Sequence, residues 1–406
     1  MSMMRQAPPL PTLPSANDLS ADIKGDLPLM RWDDPLVQIT RRLGSGSQAI
    51  VLLGEYVTTG VKVAFKLYPV SEETDKFFKA ELKAFATINT KAAVKFPGVL
   101  RCYGYGQTGP YALSASLQQN HYNFMAIEYM PRGSLDSILK NKTERDLLTW
   151  DILLRMIYDI ALSLFHQHVL GVVHRDINSS NIFVDKSLNI RIGDYGIANQ
   201  TGFIGTSYYI APEVAQYDEA HKADSPIDVY SFGMTLLKIV DTEAFEMTIG
   251  RRTSYGWAGD ISKCLNETLP RALQEMKAQK DCSPAQFDKI KQLIQDCLNV
   301  DPDKRPAMAK IVERLGAMRA EHAASLANAK VSANDTKADA ADMKVAVSVA
   351  NTSGSFFVAN ELVVKGSLKE VMHREDLSSI DMFNIAKDVA DSLSDLHAKN
   401  TVHGAI

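Results

Sequence analysis

The apolar positions change period along the chain, and each change marks an element. In residues 147–169 the apolar side chains Ile152, Leu153, Met156, Ile157, Ile160, Ala161, Leu164 and Phe165 recur every three or four positions, which predicts a helix. Residues 77–88 repeat that spacing with Phe77, Phe78, Phe85 and Ile88 around Glu81, behind a start made acidic by Glu72 and Glu73. Between Ile182 and Ile192 the pattern shortens to alternation on both sides of Asp185-Lys186-Ser187, which predicts two short strands around a turn. Residues 61–66 read as a strand ending on Lys66, residues 97–104 as turn and strand, and residues 123–135 as a strand running into a linker. Val172-Val173 predicts a short buried strand, and Ser225-Pro226-Ile227 a turn before an apolar helix at residues 234–240.

Polar clusters fall between these elements. His174-Arg175-Asp176-Ile177-Asn178-Ser179-Ser180-Asn181 follows the first helix, and Gly193-Asp194-Tyr195-Gly196 follows the predicted hairpin. A hairpin of that size brings Asn181 and Asp194 near each other. Their oxygens suit a hard cation, with Asp176 left to accept a proton. Leu43-Gly44-Ser45-Gly46-Ser47-Gln48-Ala49-Ile50-Val51 is a small-residue turn between apolar segments. Glycine there lets backbone amides approach phosphate oxygens, although an ordinary hairpin turn has the same composition. No Gly-Lys-Ser/Thr follows, so it is not a Walker loop.

In this order the motifs resemble the protein kinase family: Gly-rich loop, strand Lys66, helix Glu81, His174-Arg175-Asp176 with Asn181, Asp194-Tyr195-Gly196, Ala211-Pro212-Glu213, Asp228 and Arg305. The resemblance covers residues 36–316. It implies an α+β, bilobal fold, with an antiparallel sheet and one helix in the N-lobe and a mainly helical C-lobe. It implies ATP and Mg2+, with Lys66 on the phosphates, Glu81 pairing Lys66, Asn181 and Asp194 as metal ligands and Asp176 as base. Gly44 and Gly46 would cover the phosphates, and Val51, Ala64 and Phe183 would sandwich the adenine. Ile127 would be the gatekeeper, and the backbone at Glu128 and Met130 would meet the adenine edge. Asp228 would brace the catalytic loop, and Arg305 would pair with Glu213. The substrates implied are proteins. Thr206 favours serine and threonine acceptors, with dual specificity left open.

Three positions depart from the family. Asn178 stands where serine/threonine kinases usually carry lysine, as in LIM-domain kinases of the tyrosine kinase-like group; the run Asp228-Val229-Tyr230-Ser231-Phe232-Gly233 also resembles that group. Tyr195 replaces phenylalanine, and Gln48 replaces the usual aromatic at the loop tip. Thr201 is the candidate acceptor on the activation segment, where Arg175 would meet a phosphate. A nucleotide-binding pseudokinase scaffold, signalling through its tail or Pro-rich arm, is the alternative to an active transferase.

Composition adds context. A net charge of -4 gives no basic field for nucleic acid or anionic membrane. The four cysteines lack metal-ligand spacing, no apolar run is long enough to span a bilayer, and the N-terminus has no signal-peptide core, so a soluble cytoplasmic protein is expected; the kinase resemblance implies a role in signalling. Residues 1–35 read as a disordered arm in which residues 5–11 fit a polyproline ligand. Residues 317–343 read as a linker or loose helix. In residues 344–406, Phe357 to Leu368 align without a gap on Phe124 to Leu135, and the chain ends at Val402-His403-Gly404-Ala405-Ile406, in register with Val173 to Ile177. Ala405 stands at the position of Asp176, so this region reads as a truncated, inactive kinase-like repeat.

Overall fold

The computed structural model describes residues 27–335 except 33–36, 47, 92–97, 110–120, 201–204, 207, 217–223, 241, 243–244 and 246–281. The chain divides into two units, Met1–Asn334 and Asp335–Ile406, and nearly all the described residues lie in the first. The polyproline-like residues 5–11, Thr201 and the repeat at 344–406 lie outside the described residues.

The N-terminal half is an antiparallel sheet of β1 (Val37–Ser45), β2 (Ile50–Tyr56), β3 (Lys62–Pro69), β4 (Cys102–Gln107) and β5 (Tyr122–Glu128), ordered β1-β2-β3-β5-β4. Its outer face carries a cluster built from Leu52, Val63, Phe65, Leu67, Tyr122, Phe124 and Ala126. Its inner face carries Ala64, Tyr68, Met125 and Ile127 within the main core. This is the period of two expected of strands buried on both faces. Helix α1 (Glu72–Lys91) packs on the inner face through Phe78, Leu82 and Phe85, all fully buried.

The C-terminal half is mainly helical: α2 (Leu135–Lys140), α3 (Lys142–Arg145), α4 (Trp150–Val169), the hairpin β6 (Ile182–Val184) and β7 (Ile190–Ile192), α5 (Pro212–Gln216), α6 (Ser225–Val240), α7 (Pro284–Cys297) and α8 (Met308–Asp335). Thr149 caps α4 by accepting from the Ile152 amide, and the face from Leu153 to Leu164 is buried as its spacing requires. Helix α6 is buried on every side from Ile227 to Val240, so Asp228 is a carboxylate inside a core helix. Leu100 donates to Ile192 O (2.9 Å) and Ile192 to Gly98 O (2.9 Å), which joins the chain before β4 to the β6–β7 hairpin.

Three local expectations are corrected. Val172 and Val173 are buried but form no strand, because Val172 N donates to Gln167 O (2.9 Å) and Val173 N to the Asn199 side chain (2.7 Å). Ser225-Pro226-Ile227 is the first turn of α6 rather than a separate turn; proline fits there because that amide has no intrahelical acceptor. Residues 27–32, expected in the disordered arm, lie ordered against β4 and the outer face of the sheet. At the other end α8 runs unbroken past residue 316, with Met318 and His322 buried and Glu321 bonded to Lys289 (2.6 Å).

The half closes on one buried ion pair. Arg305 meets Glu213 through both nitrogens (2.6 and 2.7 Å) and also donates to the carbonyls of Asn299 and Pro226. Removing one partner of such a pair leaves an uncompensated charge. Arg305→Met is expected to cost about 3–5 kcal/mol in urea unfolding. Adding Glu213→Leu should recover part of that loss, since no orphan charge then remains.

Candidate active site

Lys66 points from the inner face of β3 to two carboxylates. Its Nζ lies 2.8 Å from Glu81 Oε2 and 2.9 Å from Asp194 Oδ1, so one ammonium joins β3, α1 and the turn after β7. The Lys66 and Glu81 side chains are 12% and 1% exposed. Burial by itself would lower the Lys66 pKa, but Asp194 and then Glu81 outweigh it and hold it well above the ordinary lysine value. Burial would raise Asp194, and Lys66 more than offsets it, leaving that carboxyl below the usual range. Burial pushes the Glu81 carboxyl up, with Lys66 offsetting only part.

Tyr68, two residues beyond Lys66 on the same face, donates its hydroxyl to Glu81 Oε2. Sequence reasoning missed it. The signal was the alternation in β3, which puts residues 64, 66 and 68 on one side.

The loop from His174 to Asn181 hangs on Asp228. Its Oδ2 accepts from His174 N (2.8 Å) and His168 Nε2 (2.9 Å), and its Oδ1 from Arg175 N (2.7 Å). Burial would raise this carboxyl, but hydrogen bonding and charge from His168, with the His174 amide, bring it below the usual range. His168, also missed, lies in the last turn of α4. His174 faces inward: Nε2 is 3.1 Å from Gly193 O, and Nδ1 accepts from Asp176 N (3.3 Å).

Asp176 is held by its neighbours. Oδ1 accepts from Thr206 N (2.9 Å), Thr206 Oγ1 (2.7 Å) and Asn178 Nδ2 (3.1 Å), and Oδ2 from Asn181 Nδ2 (2.8 Å). A carboxyl offers about four lone-pair sites, so Oδ2 has one left. Asn178 is buried and turned inward, its Oδ1 accepting from Ser180 N (2.8 Å). Asn181 O accepts from Gly193 N (3.0 Å), which ties it to the residue before Asp194, as the hairpin predicts. Its Oδ1 accepts nothing among the described residues.

The remaining candidates line the side toward the sheet. Val51 and Phe183 are partly buried against the core, and Ala64, Ile127 and Met130 are buried. The Glu128 amide donates to Arg101 O (2.9 Å), whereas the Met130 amide has no acceptor among the described residues. A Cβ placed on Gly44 or Gly46 would meet nothing within 4 Å, and neither φ is left-handed. Neither packing nor backbone conformation therefore demands glycine there. Open space over the β1–β2 turn is what close approach of a phosphate needs. Oxygen donors at Asn181 and Asp194 likewise suit a divalent cation.

Tyr195 is an anomaly. Its ring is fully buried between Phe85 (5.2 Å) and His174 (4.6 Å), and its hydroxyl has no hydrogen-bond partner among the described residues. Burial raises its pKa well above the ordinary value.

Residues 37–315 match the protein kinase domain family. The chain is similar to a probable serine/threonine-protein kinase of Dictyostelium discoideum, 27% identical over 312 residues, covering 74% of this chain and 20% of that protein. It is similar to L-type lectin-domain containing receptor kinase V.4 of Arabidopsis thaliana, 27% identical over 295 residues, covering 68% and 41%. A receptor-like serine/threonine-protein kinase of the same plant is 30% identical over 296 residues, covering 67% and 74%. The chain thus spans less than half the length of the first two.

Both buried environments make measurable differences. Tyr195→Phe removes an unsatisfied buried hydroxyl and should stabilise the chain by about 1–3 kcal/mol, read as a higher melting temperature. Asp228 has a folded pKa below the unfolded value of about 3.9, so the stability it contributes is present above that value and is lost as pH falls through the folded one. Asp228→Asn should cost about 1–3 kcal/mol at neutral pH and flatten the decline in stability below about pH 5, measured by urea melts across pH.

Proposed function

This chain belongs to the protein kinase domain family, and on that premise we propose that it transfers the γ-phosphate of ATP to serine and threonine hydroxyls of protein substrates. The observation that carries the reading is Lys66 held at once by Glu81 and Asp194, beside glycines that open onto empty space. In phosphoryl transfer by protein kinases the strand lysine–helix glutamate pair and the metal-binding aspartate act together.

ATP with a divalent cation, taken here to be Mg2+, supplies the transferable phosphoryl group when bound. Lys66 pairs with its α- and β-phosphates, and Glu81, braced by Tyr68, keeps the ammonium aimed. Asn181 Oδ1 and the Asp194 carboxyl hold the cation. The Met130 amide and Glu128 carbonyl take the adenine edge, Val51, Ala64 and Phe183 cover its faces, and Ile127 limits depth. Asp176, with a lone pair left on Oδ2, orients the acceptor hydroxyl and takes its proton. Rate enhancement comes from positioning and charge neutralisation.

The finer reading assigns the chain to the tyrosine kinase-like group and residues 344–406 to a truncated repeat without a base. The second reading is a nucleotide-binding scaffold. The observation in its favour is Asn178, an inward-turned amide where serine/threonine kinases usually carry a cation.

Asp176→Asn separates the two. On the transferase reading, Mg2+-dependent transfer from ATP to a generic protein substrate falls by about 10²–10⁴-fold, and phosphoamino-acid analysis of the unaltered chain finds phosphoserine and phosphothreonine. Nucleotide binding without transfer in the unaltered chain supports the scaffold. The same assay on a chain ending at residue 335 reads whether the tail restrains activity.

A further inference from the structure

Strand β4 lies at the edge of the sheet and would expose unpaired backbone groups. Residues 27–32 cover that edge. Met30 N donates to Tyr105 O (2.7 Å), Tyr105 N donates to Pro28 O (3.1 Å), and Leu29 forms a parallel bridge with Tyr105. Leu27 is buried.

The strand is shaped to receive this strap. A Cβ on Gly104 would lie 2.5 Å from Pro28 O, 2.7 Å from Met30 Cγ and 2.8 Å from Met30 Sδ. One on Gly106 would lie 2.4 Å from Met30 O. Neither glycine has a left-handed φ, so what these positions require is close approach of a second backbone.

The strap ends on the back of the nucleotide cleft. Trp32 packs on Phe65 (5.6 Å, edge-on) and Phe124 (5.2 Å), whose rings also touch each other (5.9 Å). Phe65 and Phe124 face outward from β3 and β5. Their neighbours of opposite parity, Ala64, Lys66 and Ile127, face the cleft. Pressure on Phe65 therefore acts on the backbone that carries Lys66.

We propose that residues 27–32, which precede the matched kinase region, form a positioning strap for the cleft, with Trp32 a positioning residue that acts through Phe65 on Lys66. The proposal rests on the transferase reading for its rate readout. It couples the N-terminal arm to the nucleotide site.

The full-length chain tests it. Trp32→Ala removes the anchor. Gly104→Ala displaces the strap, because the three atoms nearest to the added methyl all belong to it. Assayed well below each variant's melting temperature, both should lose kcat by about tenfold or more, the scale expected when a positioned group shifts by a fraction of an ångström to one ångström. Trp32→Phe should recover most of the rate. The double variant should lose no more than the worse single one, because both act on one contact. A lowered melting temperature with kcat unchanged overturns the proposal, leaving only a stabilising role, and so does a neutral Gly104→Ala. If the unaltered chain transfers no phosphate, the transferase reading fails separately. The strap is then read by the melting shift that ATP with Mg2+ induces: a smaller shift in both variants supports it, and an undiminished shift overturns it.

Discussion

A single ammonium ties the two halves of the site together. Lys66 has little access to water, and an isolated buried charge would shed its proton. It stays charged because Glu81 and Asp194 both reach it, and each belongs to a different element. Helix α1 must sit close enough to bring Glu81, and the turn after β7 must present Asp194. Loss of one carboxylate therefore changes more than one distance: it removes the reason for three elements to meet. A hydrophobic substitute of similar size would satisfy the packing but not that constraint.

The second half of the site is organised by a buried carboxylate rather than a cation. Asp228 lies in a helix with no exposed face, and its three donors all come from the end of α4 and the loop after it. That makes the loop rigid where Asp176 and Asn181 leave it. Asn178 then closes the loop on itself, bonding Asp176 and Thr206 (3.2 Å) instead of extending outward. A lysine at that position would have carried charge toward a bound phosphate. On the proposed function, its absence would place more of the neutralisation on Lys66 and on a cation held by Asn181 and Asp194.

Much of this was legible from residue pattern alone, and the boundary of legibility has physical causes. Helix α4, the β6–β7 hairpin and the two sides of β3 follow from period, because burial imposes period. The meeting of Lys66 with Glu81 was legible only through the ordering of motifs, since nothing local to either residue points to the other. Val172-Val173 misled because apolar β-branched pairs signal burial, whereas a strand also needs a backbone partner; Asn199 supplies one through its side chain and its own amide (2.9 Å to Val173 O). The strap at residues 27–32 was invisible because six residues including a proline carry no period. Its trace lay elsewhere, in Gly104 and Gly106, where glycine in a strand marks the approach of another chain segment.

Strain gathers where the chemistry is expected. Arg175, Asp194 and Asn199 adopt left-handed φ of 68°, 67° and 55°, a conformation that costs about 1–2 kcal/mol at Arg175 and less at Asp and Asn, whose short polar side chains tolerate it. Each is held by a specific partner: Arg175 N by Asp228, Asp194 by Lys66, and Asn199 by Val173 and by Gly171 O (3.1 Å). Leu188 shares that conformation in the β6–β7 turn, away from these residues, where its amide donates to Asp185 O (3.2 Å). Beside Asp194 the orphan hydroxyl of Tyr195 adds a further penalty. A loop selected only for stability would place glycine at residues 175 and 194 and phenylalanine at 195. Arg175 and Asp194 depart from the local preference and are each retained by a specific charge or hydrogen bond, the pattern expected where orientation matters more than stability.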